Sequence, residues 1–241
     1  MQDKSQGYTF GTTKIHEEYD DFTVIIPHYY ILQQKLWEYI SKILETKNEV
    51  SLLDVWCWTG ITSEYVIKNL PPEIHFHLTA IDSEKIMLDQ YKEKINSKYE
   101  NVDITTVETD IFDYIQNNKQ YDIIFSAWVL HNFQENERQN LYKELYKSLK
   151  PGGVFINIDK IAVDNPEQHQ EHLNWQLEQI IKMDNSELSQ ERYEHYEIID
   201  EHPTRVMKEK DTILWLEKAG FSQIMINDRT QMEAICIAHK L

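Results

Sequence analysis

The sequence predicts an α/β domain built on a mostly parallel, seven-stranded sheet that closes with an antiparallel hairpin. Three observations carry that prediction. Short apolar runs alternate with amphipathic helical stretches from about residue 30 onward, the pattern of a parallel sheet covered on both faces. Near the C-terminus the alternation stops, and two strand-like runs follow one another across a short polar turn. Apolar residues make up 41% of 241, enough for one buried core and short for two domains.

In chain order, YYILQQKLWEYISKIL (29–44) repeats apolar residues every three or four positions and reads as an N-terminal helix. VSLLDV (50–55) is a short buried strand, and ITSEYVIKNL (61–70) is a helix that Pro71-Pro72 stops. HFHLTAID (75–82) is the second strand, followed by the helix EKIMLDQYKEKINSKY (84–99), which Asp82 or Ser83 would cap. VDITTVETD (102–110) and YDIIFSAWVL (121–130) are the third and fourth strands, with the short helix IFDYIQNN between them. NERQNLYKELYKSLK (136–150) is a helix ended by Pro151-Gly152-Gly153, and GVFINIDKI (153–161) is the fifth strand. TILWLEKAG (212–220) is a helix with a glycine cap. SQIMIND (222–228) and EAICIAHK (233–240) then form the hairpin at one edge of the sheet.

Residues 164–207 stand outside this alternation. The segment is rich in Glu, Gln and His and helical in pattern. An insertion there sits beyond the carboxyl ends of the strands, where open α/β sheets bind ligands, so a helical cap is expected; an ordinary pair of surface helices is the alternative. With no internal repeat and no low-complexity linker, residues 1–241 read as a single domain.

Charge narrows the partners. Lys and Arg number 24 against 41 Asp and Glu, a net charge of −17, and such a surface repels phosphate backbones, so nucleic acid is not expected as a substrate. No apolar run approaches the roughly 20 residues of a membrane helix, and the N-terminal stretch lacks the pattern of a signal peptide. Cytoplasmic location, no membrane partner and buried free thiols at Cys57 and Cys236 are therefore expected. A homodimer is compatible with these numbers, and nothing in them requires one.

The chemistry is written in acids at strand ends. A nucleotide-like ligand lying across strand tips needs an acceptor for its ribose hydroxyls, and Asp82 ends the second strand. A base amino group needs another, and Asp110 follows the third strand, with Ile111 able to pack against a ring. Either acid alone is more readily a helix cap than a ligand. Their occurrence in order, each at a strand end, favours the ligand.

LLDVWCWTG, TAIDSEK, VETDIF, YDIIFSAWVLHNF and LKPGGVF resemble the successive motifs of class I S-adenosylmethionine-dependent methyltransferases, over roughly residues 29–161. The resemblance implies a Rossmann-like fold, S-adenosylmethionine as cofactor and a small-molecule methyl acceptor. EEYDDFTVIIPHYYIL resembles the leading helix of a narrower branch that includes small-molecule methyltransferases and carboxy-S-adenosylmethionine synthases, a further alternative for function. It also implies a cofactor site made of Asp54, Trp56, Cys57, Trp58, Gly60, Asp82, Ser83, Asp110, Ile111, Ser126 and Tyr19. Its histidine position, His131, is either a general base or a prop for its own loop. Tyr29, Tyr30 and Trp128 are expected to line the acceptor side or to join the core. Arg205 would grip a carboxylate, or else pair with a surface glutamate. His169 and His172 share a helix face, but solvated polar helices explain them more simply than a metal, and none is expected.

One loop departs from the family pattern. Where the family alternates glycines after an acid, this chain reads Asp54-Val55-Trp56-Cys57-Trp58-Thr59-Gly60. Each tryptophan puts an indole where the family has a hydrogen, and gives up easy access to positive φ. Three readings follow: a rebuilt loop that still binds the cofactor; a pseudoenzyme whose pocket is blocked by Trp56 and Trp58; or tryptophans that are not native, through deliberate inactivation or through UGA codons, which different organisms read as stop, tryptophan or glycine. A dehydrogenase using the loop for a dinucleotide is a weaker rival, since it needs the same glycines.

Overall fold

In the computed structural model, which describes residues 20, 26, 28–99, 102–114, 119–183 and 189–241, helix α1 (Tyr29–Leu44) leads into β1 (Glu49–Val55) and α2 (Ile61–Asn69). The alternation continues through β2 (His75–Asp82), α3 (Lys85–Asn96), β3 (Asp103–Glu108), α4 (Ile111–Tyr114), β4 (Tyr121–Ala127), α5 (Glu135–Ser148) and β5 (Leu149–Lys160). Helices α6 (Pro166–Met183) and α7 (Ser189–Glu194) follow, then α8 (Glu209–Ala219), β6 (Ser222–Thr230) and β7 (Glu233–His239). The strands lie in the order β3-β2-β1-β4-β5-β7-β6. Registers are parallel from β3 to β5 and antiparallel on both sides of β7. The antiparallel strand is therefore inside the sheet, with β6 outside it.

Neighbouring residues of one strand serve two cores, because side chains alternate across a pleated sheet. Leu52, Leu78, Ile123 and Ile156 face one side and meet Leu32, Leu36 and Ile40 of α1. Leu53, Ile81, Ile124 and Phe155 face the other and meet Leu141 and Leu145 of α5 and Leu216 of α8. All seven residues of β4 are buried, as its apolar run requires. Leu173, Leu177 and Ile180 of α6 share the core of α1, so the segment rests against the sheet's leading helix.

Some boundaries differ from the sequence reading. The fourth strand ends at Ala127, three residues early, because Trp128 turns left-handed (φ 54°) and a short 3₁₀ turn at Leu130–Asn132 follows. The apolar pattern runs on through Leu130, but it fills a turn and not a strand. Helix α5 stops at Ser148, ahead of Pro151: Leu149 is already extended, and Lys240 Nζ donates to the carbonyls of Tyr146 (2.8 Å) and Leu149 (2.7 Å). Helix α3 ends at Asn96, short of residue 99. Gly220 does cap α8 at φ 111°, where a β-carbon would lie 2.9 Å from the Tyr146 ring. Cys57 and Cys236 are both free and buried. No helix among the described residues is long and apolar enough to cross a membrane.

Candidate active site at the strand tips

Parallel strands place their carboxyl ends together, so the residues that leave β1, β2 and β3 surround one crevice. Asp54, near the end of β1, is 1% exposed and accepts a hydrogen bond from Ser63 Oγ at 2.6 Å. Burial, with Asp82 nearby, pushes its carboxyl up to about 7 despite that bond. Beyond β1 the chain makes a tight turn: Cys57 N donates to Ile81 O (2.9 Å), and Gly60 N donates to Cys57 O (2.8 Å). Trp56, Trp58 and Gly60 have φ of 55°, 49° and 86°. Gly60 is irreplaceable sterically, since a β-carbon there would lie 2.6 Å from the Tyr91 ring.

Asp82 is turned inward to hold this loop. Its Oδ2 accepts from Trp58 N at 3.0 Å and its Oδ1 from Glu84 N at 2.9 Å. At 2% exposure it is enclosed, and burial raises its carboxyl to about 6. The expected ribose acceptor is thus committed to main-chain amides. Ser83 is exposed beside it and Asp110 is exposed beyond β3, with Asp110 Oδ1 accepting from Phe112 N (2.8 Å) as the cap of α4.

Three expected site residues sit elsewhere. Ile111 is 1% exposed and enclosed in the core, because α4 turns it toward Leu53 and Ile81; its neighbour Phe112 packs partly buried against the same core, 6.2 Å from the Phe133 ring. Ser126 lies within the sheet, fully buried, and donates to Asn157 Oδ1 at 2.8 Å, so its hydroxyl does not reach the tips. Tyr30 is 58% exposed in an outer groove with Ile61, Glu64 and Tyr65, and meets buried Tyr29 edge to face with ring centres 5.4 Å apart. Tyr19 lies outside the described residues.

Aromatic rings pack around the turns that leave β1 and β4. Trp56 packs on Phe133 with centroids 4.7 Å apart, and Trp128 stacks on Tyr29 at 4.4 Å and 16°. Trp128 Nε1 is buried without a hydrogen-bond partner among the described residues.

A second group forms where β4 and β5 end. His131 is buried, and its Nδ1 is 2.5 Å from Asp159 Oδ1, while Asp159 Oδ2 accepts from Leu130 N at 2.7 Å. The acid thus fixes both the imidazole and the turn that carries it. Beside it, Lys160 Nζ pairs with Asp200 Oδ2 and lies 3.3 Å from the Tyr196 ring centre; His195 Nε2 is 3.2 Å from Asp200 Oδ1. Burial alone would lower Lys160, but Asp200 and Tyr196 outweigh it and hold the ammonium above its ordinary value. Asp200 is held well below the usual carboxylate range, since Lys160 and His195 overcome its burial. Glu233, the register partner of Lys160, is fully buried with neither oxygen hydrogen-bonded among the described residues, and burial raises it to about 8.

A small cavity between this group and the cap is lined by His131, Lys160, His169, Asp200, Glu201 and Arg205. Arg205 is therefore not on the surface but 5% exposed, with its carbonyl accepting from Arg138. His169 pairs with Glu201 at 2.7 Å. Among the described residues no three His, Cys, Asp or Glu side chains are grouped to hold a metal. Sequence reasoning missed Asp159 and Lys160, although an acid at the end of the fifth strand is the same signal that singled out Asp82. Asp200 and Glu233 have no such local mark.

Comparison with known proteins agrees with this layout. Residues 52–153 match the family profile of a methyltransferase domain. A malonyl-[acyl-carrier protein] O-methyltransferase of Ilyobacter polytropus is 28% identical over 144 residues, 59% of this chain and only 52% of that protein. A carboxy-S-adenosyl-L-methionine synthase of Hydrogenovibrio crunogenus is 24% identical over 200 residues, 81% of this chain and 74% of that one. The crystal structure of magnesium protoporphyrin IX methyltransferase from Synechocystis PCC 6803, with SAH bound, superposes with a TM-score of 0.65 at 13% identity, covering 96% of this chain and 97% of the other. The architecture here is the class I methyltransferase fold.

Proposed function

We propose, for a chain that has the class I methyltransferase fold and a methyltransferase domain over residues 52–153, that it transfers a methyl group from S-adenosylmethionine to a small-molecule acceptor. The observation that carries the acceptor side is the buried His131–Asp159 pair at the exit of β4. Asp159 accepts at Nδ1, which leaves Nε2 of the same ring as the nitrogen able to take a proton from an acceptor hydroxyl. Lys160, Asp200 and Arg205 line the same buried cavity and make it charged, and His169 of α6 stands at its wall. A sulfonium donor brings its own leaving group, so the chain's work is positioning, water exclusion and removal of one proton.

The donor's fit is divided. Exposed Asp110 and the left-handed main-chain path after β1 fit an adenosyl ligand, whereas Asp82 spends both its oxygens on main-chain amides. The indoles of Trp56 and Trp58 do not, since they stand where such a ligand's close approach needs hydrogen atoms. Titration with S-adenosylmethionine and S-adenosylhomocysteine tests the reading in this chain and in W56G/W58G; no heat from either protein at millimolar ligand would remove it.

A second reading rests on Arg205. A buried arginine in the cavity beside His131 is chemically suited to a carboxylate, and the carboxy-S-adenosyl-L-methionine synthase relative aligns over more of this chain than the O-methyltransferase does. Mass analysis of ligand retained by the purified protein separates the two: a carboxylated sulfonium supports the second. A cytosolic location suits the two free thiols.

A further inference from the structure

Seven residues other than glycine have positive φ among the described residues, and three are tryptophans: Trp56 (55°), Trp58 (49°) and Trp128 (54°). The other four, His28, Gln223, Asp228 and Gln231, are polar residues at the start of α1 or in the terminal hairpin. A bulky side chain in this region is an outlier. At a rate of about 5% for non-glycine residues, three of six tryptophans is a coincidence of roughly two in a thousand. The remaining three, Trp37, Trp175 and Trp215, lie inside α1, α6 and α8, where tryptophan is at home and glycine would destabilise.

Location and composition agree with the dihedrals. All three left-handed tryptophans lie in the turns that leave β1 and β4 at the strand tips: the Trp56 ring packs on Phe133, the Trp128 ring on Tyr29 with its N–H buried and unpartnered, and the Trp58 amide donates to Asp82. The chain has 6 glycines, whereas average usage of about 7% would give about 17. A decaying site would scatter many residue types over many conformations. Here one residue type stands at three positions, each with a glycine-like backbone, while the His131–Asp159 pair a few residues away is intact.

We propose that positions 56, 58 and 128 are glycine positions of this protein, written UGA in its gene and read as glycine by the cell that makes it. The working first loop is then an acid followed by alternating glycines, and the crevice is open where the indoles now stand. The ligand assigned to that crevice rests on the methyl-donor reading above; the identity of the three residues does not.

Peptide mass spectrometry of the protein from its source cells, read beside the gene, is the test. Glycine masses at 56, 58 and 128 are expected, with UGA at those codons and UGG at 37, 175 and 215; tryptophan at any of the three overturns the proposal. A second arm compares the tryptophan-bearing chain with W56G/W58G/W128G and with the control W37G/W175G/W215G. The first variant is expected to melt higher than the tryptophan-bearing chain and the control lower; a lower melting point for the first variant counts against the proposal. S-adenosylmethionine should bind the first variant at least about 100-fold more tightly than the tryptophan-bearing chain. Glycine in the cell's protein together with no binding by the first variant would keep the recoding and remove the methyl donor.

Discussion

The two halves of the strand tips differ in how far main chain and side chains agree. At the end of β5 the charged groups around the imidazole are matched: Asp159 holds His131, and Lys160 and Asp200 neutralise each other under the Tyr196 ring. At the end of β1 the backbone takes a path suited to glycine and carries indoles on it, and Asp82 is drawn in to hold the amide of Trp58. The contrast teaches that the site has not decayed as a whole. A chain released from function would have little reason to keep a buried, matched ion pair, because such pairs contribute less stability than apolar packing of the same volume.

The sharpest way to break that contrast is kinetic. In W56G/W58G/W128G, His131→Ala is expected to lower kcat by about 10²- to 10⁴-fold with S-adenosylmethionine binding unchanged. Loss of binding with the same substitution would instead make His131 a prop for its loop. Next comes Lys160→Ala, which leaves Asp200 buried beside His195 alone; chemical denaturation should show a loss of about 3–5 kcal/mol. A loss below 1 kcal/mol would mean that the pair is not sealed from water.

A pH series sharpens the other half. Asp54, Asp82 and Glu233 have folded values raised to about 7, 6 and 8 from ordinary values of 3.8, 3.8 and 4.5. Between about pH 4.5 and 8 these three acids hold more protons in the folded state than in the unfolded one, so their contribution to stability falls as pH rises, opposed in part by His172 and His239, which burial lowers. The melting temperature should be higher at pH 5.5 than at pH 8, and Glu233→Gln should flatten the upper part of that slope. A melting point that rises across the window would show that these acids are solvated. The smallest effect is expected at the exposed pair Lys85–Asp89: K85A should leave the denaturation midpoint unchanged within the error of the measurement, and a clear drop would show that this pair is held despite its exposure.

Much of this was legible without coordinates. The apolar runs of β1, β4 and β5 declare themselves because strands buried on both faces have no room for polar residues. The acids at positions 54, 82 and 110 mark strand ends because a parallel sheet collects its functional groups there. What escaped had physical reasons too. Ala127 to Leu130 is apolar whether it is strand or turn, so hydrophobicity could not show where β4 stops. Asp200 lies 40 residues from Lys160, and no spacing rule joins them. Ile111 and Ser126 carry side chains of the expected kind but are buried, and only the turn of α4 for the one and the pleat of β4 for the other decide which way they face.

By itself, then, the sequence determined the order of helices and strands, the terminal hairpin and the anomaly of a glycine loop written with tryptophan, because these are local patterns of polarity and residue type. The tertiary structure alone decided which acids meet which bases and that Trp56, Trp58 and Trp128 all stand at left-handed φ. Charge pairing and backbone handedness depend on where distant segments are brought together, and the one-dimensional pattern does not hold that information.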